Sequence, residues 1–379
     1  MLGDQPEPAE TARDDQVIDG RRLAPDERDD AAELVGNRRA QNDLHAELLE
    51  PATEPRGIRV LRVAGDHFVA DRQDGCVHQA SIREMDLERD APDMVELTLE
   101  INPTAVVNTA SYIHRERSTP DRAEARAWVA EVEGRAVGRV ECFRNFFTEG
   151  SRNGFLNVAV LNAHRNRGLG RALYDVGLEY AHGLALGEVL TSFHENHAGV
   201  AFAAGRGFKH VRAESESVLD PGAVREVPSP DTDLRPVGAV DPRLVYDVDL
   251  EATLDMPQTE AIDHIPYHEW EQHVLRHPSF TAEGSFVAIV DGVAAAVSLL
   301  IADVESGRAH NMFTGTLRAY RGRGLALDVK LASIRWAAAQ GITMMATNND
   351  ETNAPMLAIN RRLGYVPAGR RVEWLKTMA

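Results

Sequence analysis

The chain repeats itself. Arg165 and Arg321 stand 156 positions apart, as do Gly168 and Gly324, while Gly207 and Gly364 stand 157 apart. Two separate landmarks keep register to within one residue across a chain of 379 residues. The period is far longer than the roughly 20–50 residues of a solenoid unit, so each copy is a whole domain. Any fold proposed for one copy must also explain the other.

Within each copy the signals run as in an α/β unit. In the first, Trp128–Val132 and Ala136–Phe143 flank Glu133-Gly134-Arg135 and read as a hairpin. Phe155–Leu161 is a further apolar run. Leu169, Leu173, Val176 and Tyr180 then share one helix face. Val189–Phe193 reads as a strand, and a helix fills Asn196 to Arg206 and stops at Gly207. In the second, Phe286–Val290 and Val293–Ile301 flank Asp291-Gly292, a pair suited to a tight hairpin. A strand and a helix with Leu327, Leu331, Ile334 and Ala338 on one face follow, then a strand over Thr343–Thr347 and a helix ending near Gly364. The spacing predicts two tandem α/β (α+β) domains, residues 76–219 and 232–379. Between them lies Asp220–Asp231, a linker with three prolines and no periodicity. Residues 1–75 read as a poorly ordered acidic extension, with a helix signal over Asp26–Glu50 and a weak hairpin over Ile58–Ala70.

Composition narrows the partners. A net charge of −18 argues against a grip on nucleic acid, which needs a basic face. No apolar run approaches the ~18–20 residues of a membrane helix. The N-terminus has no basic stretch followed by an apolar one, and two cysteines are too few for a disulfide framework. The expectation is a cytoplasmic protein with no nucleic-acid or membrane partner. Its oligomeric state is left open.

The shared landmark carries the chemistry. The first copy reads VAVLNAHRNRGLG from Val158 to Gly170, and the second TGTLRAYRGRGLA from Thr314 to Ala326. Each is a strand, a short loop, then Arg-x-x-Gly-x-small at a helix start. A helix's first turn has N–H groups without partners and a positive dipole end. Glycines let phosphates approach that backbone closely. The spacing fits neither a P-loop nor a G-x-G-x-x-G fingerprint.

Both segments resemble the GNAT superfamily of N-acetyltransferases, which carries an R/Q-x-x-G-x-G/A loop, an Asn near the next helix start, and Gly-Phe or Gly-Tyr at that helix's end. The matching residues are Asn196 with Gly207-Phe208, and Asn353 with Gly364-Tyr365. The tandem arrangement is similar to that of mycothiol synthase. The resemblance implies mixed, mostly antiparallel twisted sheets flanked by helices, acetyl-CoA as cofactor, and an amine of a small molecule or peptide as acceptor. It implies that Val158, Ala159, Val160, Thr314, Gly315 and Thr316 line the thioester and pantetheine arm. Arg165, Asn166, Arg167, Gly168, Leu169 and Gly170 would wrap one pyrophosphate, and Arg321, Gly322, Arg323, Gly324, Leu325 and Ala326 another. Asn196 and Asn353 would bond the pantetheine side.

The chain departs from the family where protons move. The usual Glu base is replaced by Thr191 and Asn348, and the usual Tyr acid by Ala203 and Asn360. Asn348 and Asn360 either orient a water and hold the departing thiolate, or are ordinary polar residues. Glu141 is either a substitute base or a solvated strand residue. His264, His268, His273 and His277 could line an acceptor lid or lie on the surface, and no metal is expected. The second copy, with Asn348, Asn349, Asn353 and Asn360, is expected to be the active one. A non-catalytic acyl-CoA-binding sensor or scaffold is the alternative.

Overall fold

The computed structural model describes residues 59–63, 66–73, 76–224, 232–259, 262–263 and 265–378. The helix expected over Asp26–Glu50, residues 225–231 of the linker and His264 lie outside these.

Three strands, β1 (Arg59–Val63), β2 (Asp66–Gln73) and β3 (Cys76–Glu84), form an antiparallel ribbon. The hairpin expected over Ile58–Ala70 is its first part. Two helices follow, α1 (Leu87–Ile101) and α2 (Thr109–Ser118), the second closed by a capping box between Asn108 and Ser111. The first copy continues as β4 (Arg126–Val132), β5 (Arg135–Arg144), β6 (Asn153–Val160), α3 (Leu169–Gly183), β7 (Glu188–His194), α4 (His197–Ala204) and β8 (Lys209–Leu219). The second reads β9 (Asp233–Pro236), α5 (Pro242–Thr253), α6 (Tyr267–His273), β10 (Phe286–Val290), β11 (Val293–Asp303), β12 (Arg308–Thr316), α7 (Leu325–Ala339), β13 (Met344–Asp350), α8 (Ala354–Leu363) and β14 (Val366–Thr377).

Local chemistry explains the turns. Glu133 and Gly134 join β4 to β5 with φ of 50° and 83°, and Asp291 and Gly292 join β10 to β11 with 51° and 81°. Two successive left-handed residues are what the right-handed twist of a hairpin selects. The expected helix faces are the buried ones. Leu169, Leu173 and Val176 of α3 pack into the first core, and Leu327, Leu331 and Ile334 of α7 into the second.

The two copies do not form two sheets. The fourteen strands among the described residues join in the order β1-β2-β3-β4-β5-β6-β7-β14-β8-β13-β12-β11-β10-β9. Each copy's last strand is exchanged into the other. β14 lies antiparallel between β7 and β8, and β8 between β14 and β13. Arg212 of β8 fastens the exchange, reaching Glu214 on its own strand at 2.7 Å, Asp350 of β13 at 2.6 Å and Glu373 of β14 at 3.2 Å.

The copies differ at one strand. Along β11 and β12, Leu299 faces Phe313 but Leu300 faces Asn311, so Met312 is an extra residue, a β-bulge. Asn311 supports it from within the core. Its amide nitrogen donates to Leu299 O at 3.2 Å and to Ser298 Oγ at 2.8 Å. Its oxygen accepts from Thr314 Oγ1 at 2.8 Å and Lys330 Nζ at 2.7 Å. Lys330 is fully buried on α7, with Nζ 5.2 Å from the ring centre of Tyr365. In the first copy, β5 and β6 pair without a break from Gly138↔Val160 to Arg144↔Gly154.

Two outcomes follow from this architecture. Residues 232–379 expressed alone lack β8, leaving β13 with a bare edge and β14 without either neighbour; unpaired edges favour aggregation. That half should aggregate alone and be soluble as a one-to-one complex with residues 1–231, read by size-exclusion chromatography. A soluble, folded monomer of residues 232–379 would contradict the exchange. The second outcome concerns Lys330, whose ammonium burial pushes down to about 7 from 10.5. Between those values the unfolded chain binds a proton that the folded chain has released. The stability of the wild type relative to Lys330→Met should therefore rise from pH 7 to 10, by on the order of 2–4 kcal/mol. Denaturant titrations at both pH values check this; parallel changes would mean that Lys330 keeps its proton in the fold.

Candidate functional site

The two glycine loops have the same backbone. In the first, Asn166 and Gly168 have φ of 61° and 80°; in the second, Gly322 and Gly324 have 78° and 85°. The left-handed residues fall one and three positions after the arginine in both. Each arginine turns back on its own strand, Arg165 Nε donating to Val160 O at 2.9 Å and Arg321 Nε to Thr316 O at 3.0 Å. Gly168 and Gly324 are the N-caps of α3 and α7 and offer no capping side chain. The first-turn N–H groups therefore remain available to an anion. A side chain at Gly322 or Gly324 would meet open space, so the surface there is bare backbone.

The arginines around these loops are not equivalent. Asp255 binds Arg318 and Arg321, the latter at 2.7 Å, and these bonds hold its carboxyl well below the usual range. Arg321 is thus already paired. Arg323 stacks on Tyr320, 5.0 Å from the ring centre, and is exposed. Among the described residues no carboxylate pairs with Arg167 or Arg323.

A gap opens beside each loop. β6 and β7 run parallel and pair only from Asn153↔Glu188 to Phe155↔Leu190. β12 and β13 pair only from Arg308↔Met344 to His310↔Ala346. Beyond these the strands part, and Val158–Val160 and Thr314–Thr316 border the two gaps. The first gap is bridged at its mouth. Asn157 Oδ1 accepts from Ser192 N at 3.0 Å and Thr191 Oγ1 at 3.3 Å. Gly170 is met there by Phe202, whose ring lies 3.4 Å under the Arg206 guanidinium. The second gap holds the exposed Met312 bulge. Thr316 Oγ1 and Asn360 Oδ1, both buried, have no partner among the described residues.

The named asparagines have structural partners. Asn196 and Asn353 cap α4 and α8, their side-chain oxygens accepting from Gly199 N at 2.8 Å and Met356 N at 3.3 Å. Asn360 donates to Asn349 Oδ1 at 2.6 Å. Asn348 donates to Glu214 Oε2 at 2.6 Å, across the exchanged strands.

The exchange also creates a cavity of about 280 Å³ lined by both copies, with residues of α1 and α2 and of strands β7, β14, β8, β13 and β12. Asn348, His194, Glu216, His277, His310 and Arg371 line it. Burial pushes His277 and His310 down to about 4, so both are neutral at pH 7. Burial works to raise the Glu216 carboxyl, but hydrogen bonds from His194 and Thr104 hold it below its usual range. His194 Nδ1 lies 3.3 Å from Glu216 Oε2.

Glu141 is not a solvated strand residue. It accepts from Asn157 Nδ2 at 3.1 Å and pairs with Arg139 at 3.3 Å. Burial raises its carboxyl, but Arg139 and Arg115 outweigh burial and keep it ionised. Of the four histidines near the second copy, His268 is exposed, His273 Nδ1 lies 2.7 Å from Glu269 O, and His277 reaches the cavity. Among the described residues no cluster of three or more His, Cys, Asp or Glu could hold a metal ion, and no helix is long and apolar enough to cross a membrane. Sequence reasoning missed His194, Glu216, His310 and Arg371. One signal was present: Arg212, Glu214 and Glu216 alternate, as charged residues do on one face of a strand.

Comparison with known proteins agrees with this geometry. The Acetyltransferase (GNAT) family matches residues 92–208 and 248–365, well over half of the chain. No curated protein matches it significantly. A tandem GNAT protein from the clavulanic acid biosynthesis pathway has a similar fold, with a TM-score of 0.61 at 20% identity over 79% of this chain and 98% of that one. A GCN5-related N-acetyltransferase from Sphaerobacter thermophilus gives 0.58 at 19% identity, over 79% and 95%. A putative acetyltransferase from Pyrococcus horikoshii gives 0.51 at 13%, over 87% and 94%. With two copies of the family's domain, each bearing its glycine loop and parted strands, the chain belongs to the GNAT acetyltransferase family and is an acyltransferase.

Proposed function

We propose that the protein transfers an acetyl group from acetyl-CoA to an amine of a small molecule or peptide, and that the C-terminal copy performs the transfer. The observation that carries the choice of copy is the bulge at Met312. It sits where β12 and β13 part, while the corresponding gap of the first copy has no bulge and is bridged by Asn157. The cytoplasmic location and the domain limits expected from the sequence belong to this proposal too.

The residues present fit the cofactor. The uncapped start of α7 and the bare backbone at Gly322 and Gly324 suit a pyrophosphate, and Arg323 adds an unpaired positive charge. Thr314, Gly315 and Thr316 border the gap that would take the pantetheine arm, and the unpartnered Thr316 Oγ1 and Asn360 Oδ1 are polar atoms awaiting a ligand. Acetyl-CoA supplies the activated acyl group. The chain supplies position, which in favourable cases is worth on the order of 7–11 kcal/mol.

The amine must lose a proton. In place of the usual Glu, the cavity offers His194, held by Glu216 through Nδ1. Its Nε2 is buried without a partner, and in the neutral tautomer it can take that proton. The second N–H of the Asn360 amide can donate to the departing sulfur.

Two sets of variants test this reading. Gly324→Asp places a carboxylate where the pyrophosphate would lie and should reduce acetyl transfer by about 100-fold or more, whereas Gly168→Asp should leave it within about threefold. Thiol release from acetyl-CoA, with thermal melts to confirm folding, measures both. An equal loss in Gly168→Asp would move the chemistry to the N-terminal copy. Asn360→Ala should lower kcat by about 10-fold, the effect of one hydrogen bond acting on developing charge. An unchanged kcat would leave Asn360 a packing residue.

A further inference from the structure

The cavity between the copies has two polar ends that its own walls leave unsatisfied. One is Arg371. Its Nε donates to Ser192 Oγ at 2.7 Å, and among the described residues no carboxylate pairs with its guanidinium. Glu141 and His310 sense its charge only from beyond contact. The other lining arginine, Arg115, is already paired with Glu116 at 2.6 Å. Arg371 therefore presents its two Nη groups as a planar donor fork, the geometry that matches a carboxylate.

The second end is His194. A carboxylate can only accept, so Nδ1 carries the hydrogen shared with Glu216, and in the neutral tautomer that this bond selects Nε2 is an acceptor. That atom is buried without a partner and calls for an N–H. His277 and His310 are neutral and add no competing charge. The two ends are close, because His194 and Arg371 are directly opposed across β7 and β14. A ligand that satisfies both carries an anion and a hydrogen-bond donor a few bonds apart, and in a site of acetyl transfer that donor is the amine.

We propose that this cavity is the acceptor site, and that the acceptor is a small amine bearing a carboxylate, an amino acid or a compound with that pattern. Its carboxylate lies on the Nη groups of Arg371 and its amine faces His194 Nε2, beside Asn348 and His310 at the parting of β12 and β13. The inference deepens the acetyl-transfer reading and rests on it only for the fate of the amine; binding is a separate claim. Neither end exists in one copy alone. His194 belongs to the N-terminal copy, and Arg371 reaches it on the exchanged strand.

The test compares the twenty L-amino acids with their carboxamides, and with O-phosphoethanolamine as a phosphate-bearing amine. Binding is read by calorimetry without cofactor, and turnover by thiol release from acetyl-CoA. In the wild type at least one amino acid should bind, and its amide should bind about 30-fold more weakly, the loss expected when a charge-assisted pair is removed. Arg371→Gln should bring acid and amide to within about threefold, acting on KM rather than kcat, and Arg371→Lys should restore part of the preference. Amino acids that bind without being acetylated would support the site and count against the transfer reading. Acetylation of acids and amides alike would overturn the inference while leaving that reading intact. Tighter binding of O-phosphoethanolamine, or no binding of any amino acid at millimolar concentration, would also overturn it. The comparison of acid with amide needs no variant, so it stands even if Arg371→Gln fails to fold.

Discussion

The hydrogen-bond ladder that β14 makes between β7 and β8 is the interaction on which the rest depends. Without it β7 and β8 would each end a sheet, leaving two long unpaired edges. With it, fourteen strands share one sheet and the copies cannot move as independent bodies. The exchange sets up a row across the strands, His194 to Arg371 to Glu214 to Asp350, all on one face. Residues far apart in the sequence, such as Ser192 and Arg371, are brought to bonding distance by the main-chain pairing. The charges of that row are compensated locally, chiefly by Arg212, and Arg371 is the cation left over.

Duplication has given the copies one frame and two specialisations. Both keep the left-handed positions of the loop, because a tight strand-to-helix turn with bare N–H groups needs them. They diverge where the strands part. In the first copy Asn157 bridges β6 to β7 and ties in Glu141, part of a closed network with Arg139 and Tyr112. In the second, the structural equivalents are apolar around Phe313, and the polar groups lie on the other face, where Asn311 and Lys330 hold the bulge. A buried lysine costs stability when charged, and its hydrogen bond to the bulge gives a reason for its place there.

Much of this was legible in the sequence, for identifiable reasons. Hairpins at Glu133-Gly134 and Asp291-Gly292 are encoded by two adjacent residues. Helices α3 and α7 are encoded by one apolar stripe each, and the loops by glycines at fixed spacing. The strands β8 and β14 were not legible. Their sequences, KHVRAESESVL and VPAGRRVEWLKT, carry charges on the cavity face, and β14 contains Pro367, so neither reads as an apolar run. Their pairing is set by residues 126 to 189 positions apart, a distance no local pattern spans. The cavity was hidden for the same reason. His194, Glu216 and Arg371 draw no notice one by one, Asn348 is marked only by its place in the motif, and only the exchange makes them neighbours. Of the two readings of Glu141 the solvated one fails, and its partners, Arg139 two residues away and Asn157 on the next strand, look like ordinary exposed polar residues in the sequence.

The most direct measurement of this account is a cross-link between the copies. Glu188 of β7 and Thr377 of β14 are directly opposed at the end of the exchanged ladder. Opposed antiparallel residues lie about 4.5–5.5 Å apart between Cα atoms, within the range a disulfide spans. In the double variant Glu188→Cys, Thr377→Cys, oxidation should give an intramolecular disulfide in the monomeric chain, identified by mass spectrometry of the linked peptides. A disulfide found only between two chains, or none at all in folded protein, would contradict the exchange and with it the shared cavity.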